Sequence, residues 1–275
     1  MSNFLQRTIS GTLFVASIIG SLVIGKITFL IVFGGILVLS MFEFYNLSYK
    51  ARIKPQFFIG ILIGLSLFIG TYLYSIGKIE PIFLLGFIPL ASCIFIFELF
   101  RNQKRPFHNI AYTFLGIIYI AIPLTFFNFI VFNASTVQNS YSYEILLSYF
   151  ILIWANDTGA YLFGVSIGKH RLFPRISPKK SWEGFFGGLI FTTIIAWCIS
   201  LFYHNINFAH WFAIGIIGAI IGVFGDLVES MFKRSLDVKD SGKFLPGHGG
   251  VLDRFDSVFL SAPIVFAYLK IMMLV

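Results

Sequence analysis

Long uninterrupted apolar runs alternate along this chain with short polar segments, and the runs are matched to the thickness of a bilayer. About nine of them, roughly 16 to 25 residues each, lie near 8–25, 27–47, 55–76, 80–100, 109–132, 144–167, 184–203, 210–230 and 257–274. A backbone crossing hydrocarbon must satisfy its own hydrogen bonds, so these runs predict helices and not strands. The expected fold is an all-α polytopic membrane bundle of about nine transmembrane helices. Arg7 ahead of the first run resembles a signal peptide, but no small-residue cleavage site intervenes before Lys26, so the run reads as a retained span.

Composition agrees: 57% of residues are hydrophobic and 12% charged, far from soluble usage, and no soluble domain stands out. Cys93 and Cys198 both fall inside apolar runs, as small packing residues do, and offer no disulfide framework. The net charge of +8 is distributed unevenly. With loops assigned alternately to two sides, one side collects Arg7, then Lys50, Arg52 and Lys54, then Arg101, Lys104 and Arg105, and then the basic segments around 169–180 and 233–254. The other side holds Lys26, Lys78 and Lys270. The positive-inside rule therefore places the N-terminus and the basic loops in the cytoplasm, and the chain is expected in the inner cell membrane. Such a face attracts anionic head groups and soluble polyanions. No nucleic-acid partner is expected.

The chain divides near residue 140 into an apolar scaffold, 1–140, and a region rich in candidate chemistry, 141–275, both within a single membrane unit. In the scaffold Glu43 and Glu98 sit near cytoplasmic span ends and read as interfacial acids. The segment 133–143 reads as the one sizeable external loop, with an Asn133-Ala-Ser135 triplet. Beyond it the same arrangement occurs twice: an apolar helix with an acid near its cytoplasmic end, followed by a basic loop containing Gly and Pro. The first copy runs from Asn156-Asp157-Thr158 into Ser177-Pro-Lys179-Lys180-Ser181-Trp-Glu183. The second runs from Gly225-Asp226 into the segment Ser230–Asp256.

Asp226, Glu229, Ser230 and Lys233 recur at i, i+3, i+4 and i+7 and form one polar stripe on a helix. Asp253, Asp256 and Ser257 repeat the spacing at the start of the last run. Helix capping, or an ion pair with Arg254, is the plainer account of the second set. The chemical account is a cation site: carboxylate oxygens without Cys or clustered His suit Mg2+ and not zinc. His108, His170, His204 and His210 scatter near span ends, whereas His248 lies in Pro-Gly-His-Gly249-Gly250, whose glycines let backbone N–H groups approach an anion. Lys179 and Lys180 are either topogenic charges or phosphate partners, with Ser177 and Ser181 as donors. Asp157 lies within a span, where an acid is a functional candidate by default. No GxSxG, HExxH, Walker A or GxGxxG motif occurs in a supporting context. A phosphate already ionised near neutral pH would need no protein nucleophile.

Read together, Ser230-Met-Phe-Lys233-Arg234, Lys239-Asp240-Ser-Gly242 and Leu245-Pro-Gly-His248-Gly249-Gly250-Val-Leu-Asp253-Arg254-Phe-Asp256 resemble the diagnostic pattern of the phosphatidate cytidylyltransferases, without a departure. The segments around Asp157, Lys179 and Asp226 resemble further elements of that family; the first half is similar only in hydropathy and loop charge. The resemblance implies an enzyme that joins CTP to phosphatidic acid in the lipid bilayer, releasing pyrophosphate, with Mg2+ and in many members K+ as a second cation, and assembled as a homodimer. It places Asp226, Asp253 and Asp256 in the metal and nucleotide centre. Lys179, Lys180, Lys233, Arg234, Lys239 and His248 fall at its phosphate-meeting positions. Asp157, Ser177, Ser181, Ser230, Asp240, Gly249, Gly250 and Arg254 complete the expected substrate-binding set. Two anions about 4 Å apart repel by roughly 4 kcal/mol per pair of unit charges at an effective dielectric of 20, which the cationic residues would offset. Two alternatives stay open: a related CTP-dependent lipid enzyme, such as a polyprenol kinase or ether-lipid cytidylyltransferase, and an ion-coupled transporter using Asp157, Asp226 and Glu229.

Overall fold

The computed structural model describes residues 3–133, 140–238, 240–242, 244, 247 and 249–275. Each of the nine apolar runs coincides with a helix. α1 (Asn3–Ile24), α2 (Lys26–Lys50) and α3 (Phe57–Ser75) are followed by a 3-10 turn, Pro81–Gly86, that leads into α4 (Phe87–Phe100). α5 (Pro106–Gly116) continues through a π-helical turn, Ile117–Ala121, into α6 (Ile122–Val131). Pro123 has no N–H to offer the carbonyl four residues back, which accounts for the wider turn. α7 (Glu144–Ile167), α8 (Trp182–Phe202), α9 (Phe208–Ser235) and α10 (Leu252–Ile271) complete the bundle. Among the described residues, seven helices are long and apolar enough to cross a membrane, so the protein is an all-α polytopic membrane protein. α1 has a shorter apolar stretch, and α10 carries Asp253, Arg254, Asp256 and Lys270.

Two short antiparallel pairs interrupt the helices. β1 (Phe132–Asn133) pairs with β2 (Ser140–Tyr141), which frames the expected external loop; residues 134–139 of that loop lie outside the described residues. β3 (Arg171–Phe173) pairs with β4 (Ser177–Ser181), so the basic Lys179-Lys180 segment is a hairpin strand running into α8. Ser181 caps that helix, its Oγ accepting from Gly184 N at 3.1 Å. The Glu183 carboxylate closes the base of the hairpin by accepting from the Lys169 and His170 backbone N–H groups and pairing with His170 Nδ1 at 2.6 Å.

The two glutamates read as interfacial acids are both buried within the protein, Glu43 at 6% exposure and Glu98 at 4%. Glu98 accepts from Gln56 Nε2 at 2.8 Å, Asn109 Nδ2 at 2.7 Å and Arg101 Nη1 at 2.8 Å, tying α3, α4 and α5 together at one end of the bundle. A buried carboxylate is tolerated when it is paired and hydrogen-bonded in this way. The core between α2, α3, α6, α7 and α10 is filled largely by rings, including Phe29, Phe33, Phe68, Phe127, Phe150 and Phe255.

Candidate active site

Glycines set how closely the site-bearing helices approach. A Cβ at Gly159 on α7 would lie 2.6 Å from Phe191 Cβ and 2.9 Å from the Gly187 carbonyl, and one at Gly188 would lie 2.5 Å from Asn156 Oδ1. On α9, a Cβ at Gly225 would meet the Asp256 carbonyl at 2.5 Å. Small residues at these contacts let backbones touch, as in other membrane bundles. Their neighbours in sequence are Asp157 and Asp226, so the close approach carries acids from α7, α9 and α10 to one place.

That place is a cavity of about 280 Å³ lined by Asp157, Asp226, Lys233, Asp240, Asp253, Arg254, Asp256 and Ser257. Two further cavities share walls with it. One, of about 340 Å³, extends from Asp157 and Asp226 to Lys179, Lys180, Ser181 and Tyr161. The other, of about 260 Å³, runs from Asp157, Asp253, Arg254 and Asp256 to apolar walls of α1 and α7, including Phe14, Val15, Ile18 and Trp154. The centre therefore adjoins one cavity that reaches Lys179 and Lys180 and another that reaches apolar side chains of α1 and α7.

Within it, lysines already hold two of the acids. Lys180 Nζ lies 2.6 Å from Asp226 Oδ2, and Ser230 Oγ donates to Asp226 Oδ1 at 3.1 Å. This ion pair joins the two acid-plus-base segments that are separate in sequence. Lys233 Nζ bridges Glu229 at 2.5 Å and Asp253 Oδ1 at 2.8 Å. Asp253 also accepts from the backbone N–H groups of Ser241 at 3.1 Å and Gly250 at 2.8 Å. Gly249 adopts φ +84°, and a Cβ there would meet Asp253 Oδ2 at 2.5 Å, so glycine is required for the chain to wrap this carboxylate. The Gly250 N–H, expected to face an anionic ligand, is thus taken by Asp253.

Most of the expected site residues that the structure describes converge here, with two exceptions. Ser177 sits on β4 opposite Phe173 and lines none of the three cavities. Arg234 is exposed at the end of α9 and donates to the Val238 carbonyl at 3.4 Å. Lys239 and His248 lie outside the described residues. Glu43 and Ser241, absent from the expected set, hydrogen-bond to each other beside Asp253, and Ser257 and Tyr161 add to the cavity walls. An acid within an apolar run was the one available signal for Glu43.

Among the described residues no three acids, histidines or cysteines are grouped tightly enough to form a ready metal site. The donor chemistry nevertheless fits a hard cation: five carboxylates, those of Asp157, Asp226, Asp240, Asp253 and Asp256, line one cavity without sulfur or imidazole among its described walls. Two of them now face ammonium groups, which a divalent ion would have to displace.

Residues 5–272 match the model of the cytidylyltransferase family. The chain is 38% identical over 189 residues to a phosphatidate cytidylyltransferase of Staphylococcus aureus (strain COL), covering 68% of this chain and 69% of that one. It is 38% identical over 209 residues to the corresponding protein of Staphylococcus haemolyticus (strain JCSC1435), covering 75% and 77%. A match spanning nearly every helix, together with acids and lysines gathered beside an apolar compartment, establishes that the chain belongs to the cytidylyltransferase family.

Proposed function

We propose that the chain is a phosphatidate cytidylyltransferase, which transfers the cytidylyl group of CTP to phosphatidate and yields CDP-diacylglycerol and pyrophosphate. The observation that carries this reading is the junction at Asp157 of three cavities: one lined by five carboxylates, one reaching Lys179 and Lys180, and one reaching apolar side chains of α1 and α7. A phosphatidate oxygen attacks the α-phosphorus, and the bond from that phosphorus to the bridging oxygen of the β-phosphate breaks. The attacking phosphate is already ionised, so no side chain has to remove a proton. Lys179 and Lys180 supply positive charge to the triphosphate, and this becomes more valuable as charge gathers on the departing pyrophosphate. The apolar walls of α1 and α7 receive acyl chain while the lipid phosphate rests at the acids' end. Asp226, Asp253 and Asp256 are the residues to hold Mg2+, with K+ as a second cation; when bound, such ions supply positive charge to phosphate oxygens.

CTP labelled at the α-phosphate, incubated with diacyl phosphatidate and the purified protein, is expected to label the lipid. Label entering only from the γ-phosphate, onto a lipid alcohol, would point to a lipid kinase of the same kind. Excess EDTA is expected to stop turnover and added Mg2+ to restore it; full rate in EDTA removes the cation from the scheme. The charge asymmetry of the loops supports an active site facing the cytoplasm in the inner membrane. A cysteine placed at Lys179 should then resist an impermeant maleimide in intact cells. Family resemblance alone supports a homodimer, and cross-linking in native membranes tests it.

A further inference from the structure

Glu43 belongs to a scaffold helix and lines none of the three cavities, yet its contacts reach the reaction centre. Its Oε2 accepts from Ser241 Oγ at 3.1 Å and from the backbone N–H of Leu252 at 2.9 Å. Leu252 opens α10, where N–H groups lack intrahelical acceptors and negative charge is favoured. A Cβ at either Gly242 or Gly250 would collide with the Glu43 carboxyl group, so glycine at both positions allows the backbone to close on it. Next to Glu43, Phe44 stacks on Phe232 with centroids 4.9 Å apart, which fixes α2 against α9 one residue from Lys233. From the opposite side Asp253 accepts from Ser241 N and Gly250 N. Two carboxylates from different helices therefore grip both ends of the same segment.

We propose that Glu43 is a positioning residue: it clasps the two ends of the 241–252 segment and thereby fixes the α10 carboxylates in the cavity. Asp253 faces the substrates and has to exchange partners as charged ligands arrive. Glu43 is shielded from them and keeps the segment closed while Asp253 does so. The inference rests on the proposed function only for its turnover assay, because the clasp itself is read by backbone protection.

The test uses the full chain in nanodiscs. Glu43→Ala is expected to raise amide exchange in peptides covering 241–252, leave α7 and α8 protected, and lower kcat about 10- to 100-fold with KM for phosphatidate changed less than about threefold. Glu43→Gln keeps a carbonyl oxygen for the Leu252 N–H and should recover most of both signals. Gly242→Ala should reproduce the alanine phenotype by a different route, and it carries the test if Glu43→Ala does not fold. Unchanged exchange in 241–252, wild-type kcat with a loosened segment, or a uniform rise in exchange across the bundle would each overturn the proposal. If the wild-type protein does not use phosphatidate, the functional reading fails while the exchange contrast still decides the clasp.

Discussion

The first and second halves of the bundle reach tight packing by opposite means. In the first, bulky rings fill the space between helices: Phe33 lies edge-on to Phe127 at 5.5 Å, and Tyr45 sits beneath Gly60 and Gly116 and donates to the Thr113 carbonyl at 2.8 Å. In the second, α7 and α8 meet through Gly159 and Gly188, and α9 and α10 through Gly225, each with a neighbouring backbone at close range. Rings bury a large apolar area and tolerate adjustment, whereas backbone contact fixes the helices' relative height and rotation. Polar side chains adjacent to such contacts inherit that precision. The difference explains how a chain so apolar keeps Asp157, Asp226 and Asp256 around one cavity.

Removing the acids themselves should give the largest effect. Asp226→Asn and Asp253→Asn are each expected to lower turnover by about 100-fold or more while the protein remains membrane-inserted, because each deletes charge where the proposed reaction brings phosphates together. A near-normal rate in either variant takes that residue out of the centre. Lys180→Ala should follow, with a loss of about 10- to 100-fold as the Asp226 carboxylate loses its 2.6 Å partner; an unchanged KM for CTP would exclude Lys180 from nucleotide binding.

The packing contrast is sharpened by a pair of glycine variants. Gly188→Ala and Gly60→Ala both force a Cβ into occupied space and should each cost about 1–3 kcal/mol in detergent unfolding. Turnover per folded molecule should fall only for Gly188→Ala, since Asn156 and Asp157 move with it. Equal turnover in the two would show that backbone contact is not what holds the acids. The smallest effect is expected from Arg234→Ala, about twofold or less in rate, since its side chain is exposed and lies outside the three cavities. A loss comparable to that of Lys180→Ala would bring Arg234 into the phosphate site.

Much of this protein is legible from local pattern. Span positions follow from run length, a property of consecutive residues, and all nine runs coincide with helices. The Asp226 stripe follows from helical periodicity. What is not legible involves partners distant in sequence. Glu43 meets the N–H of Leu252, 209 positions away, and its one local signal, an acid near a span end, reads equally well as interfacial. Gly249 and Gly250 read in sequence as an anion-binding turn, and the Gly250 N–H does meet an anion, the protein's own Asp253.

The sequence by itself determined that the chain spans a membrane, that its cations gather in alternate loops, and that its motifs match the cytidylyltransferase pattern, because hydropathy, charge and spacing are properties read residue by residue. Only the tertiary structure decided that Lys180 pairs with Asp226, that Lys233 stands between Glu229 and Asp253, and that a scaffold glutamate meets Ser241 and the Leu252 N–H. Those pairings depend on helix rotation and height to within a hydrogen-bond length. Side chains that meet across the bundle set both, and no periodicity within a single helix records them.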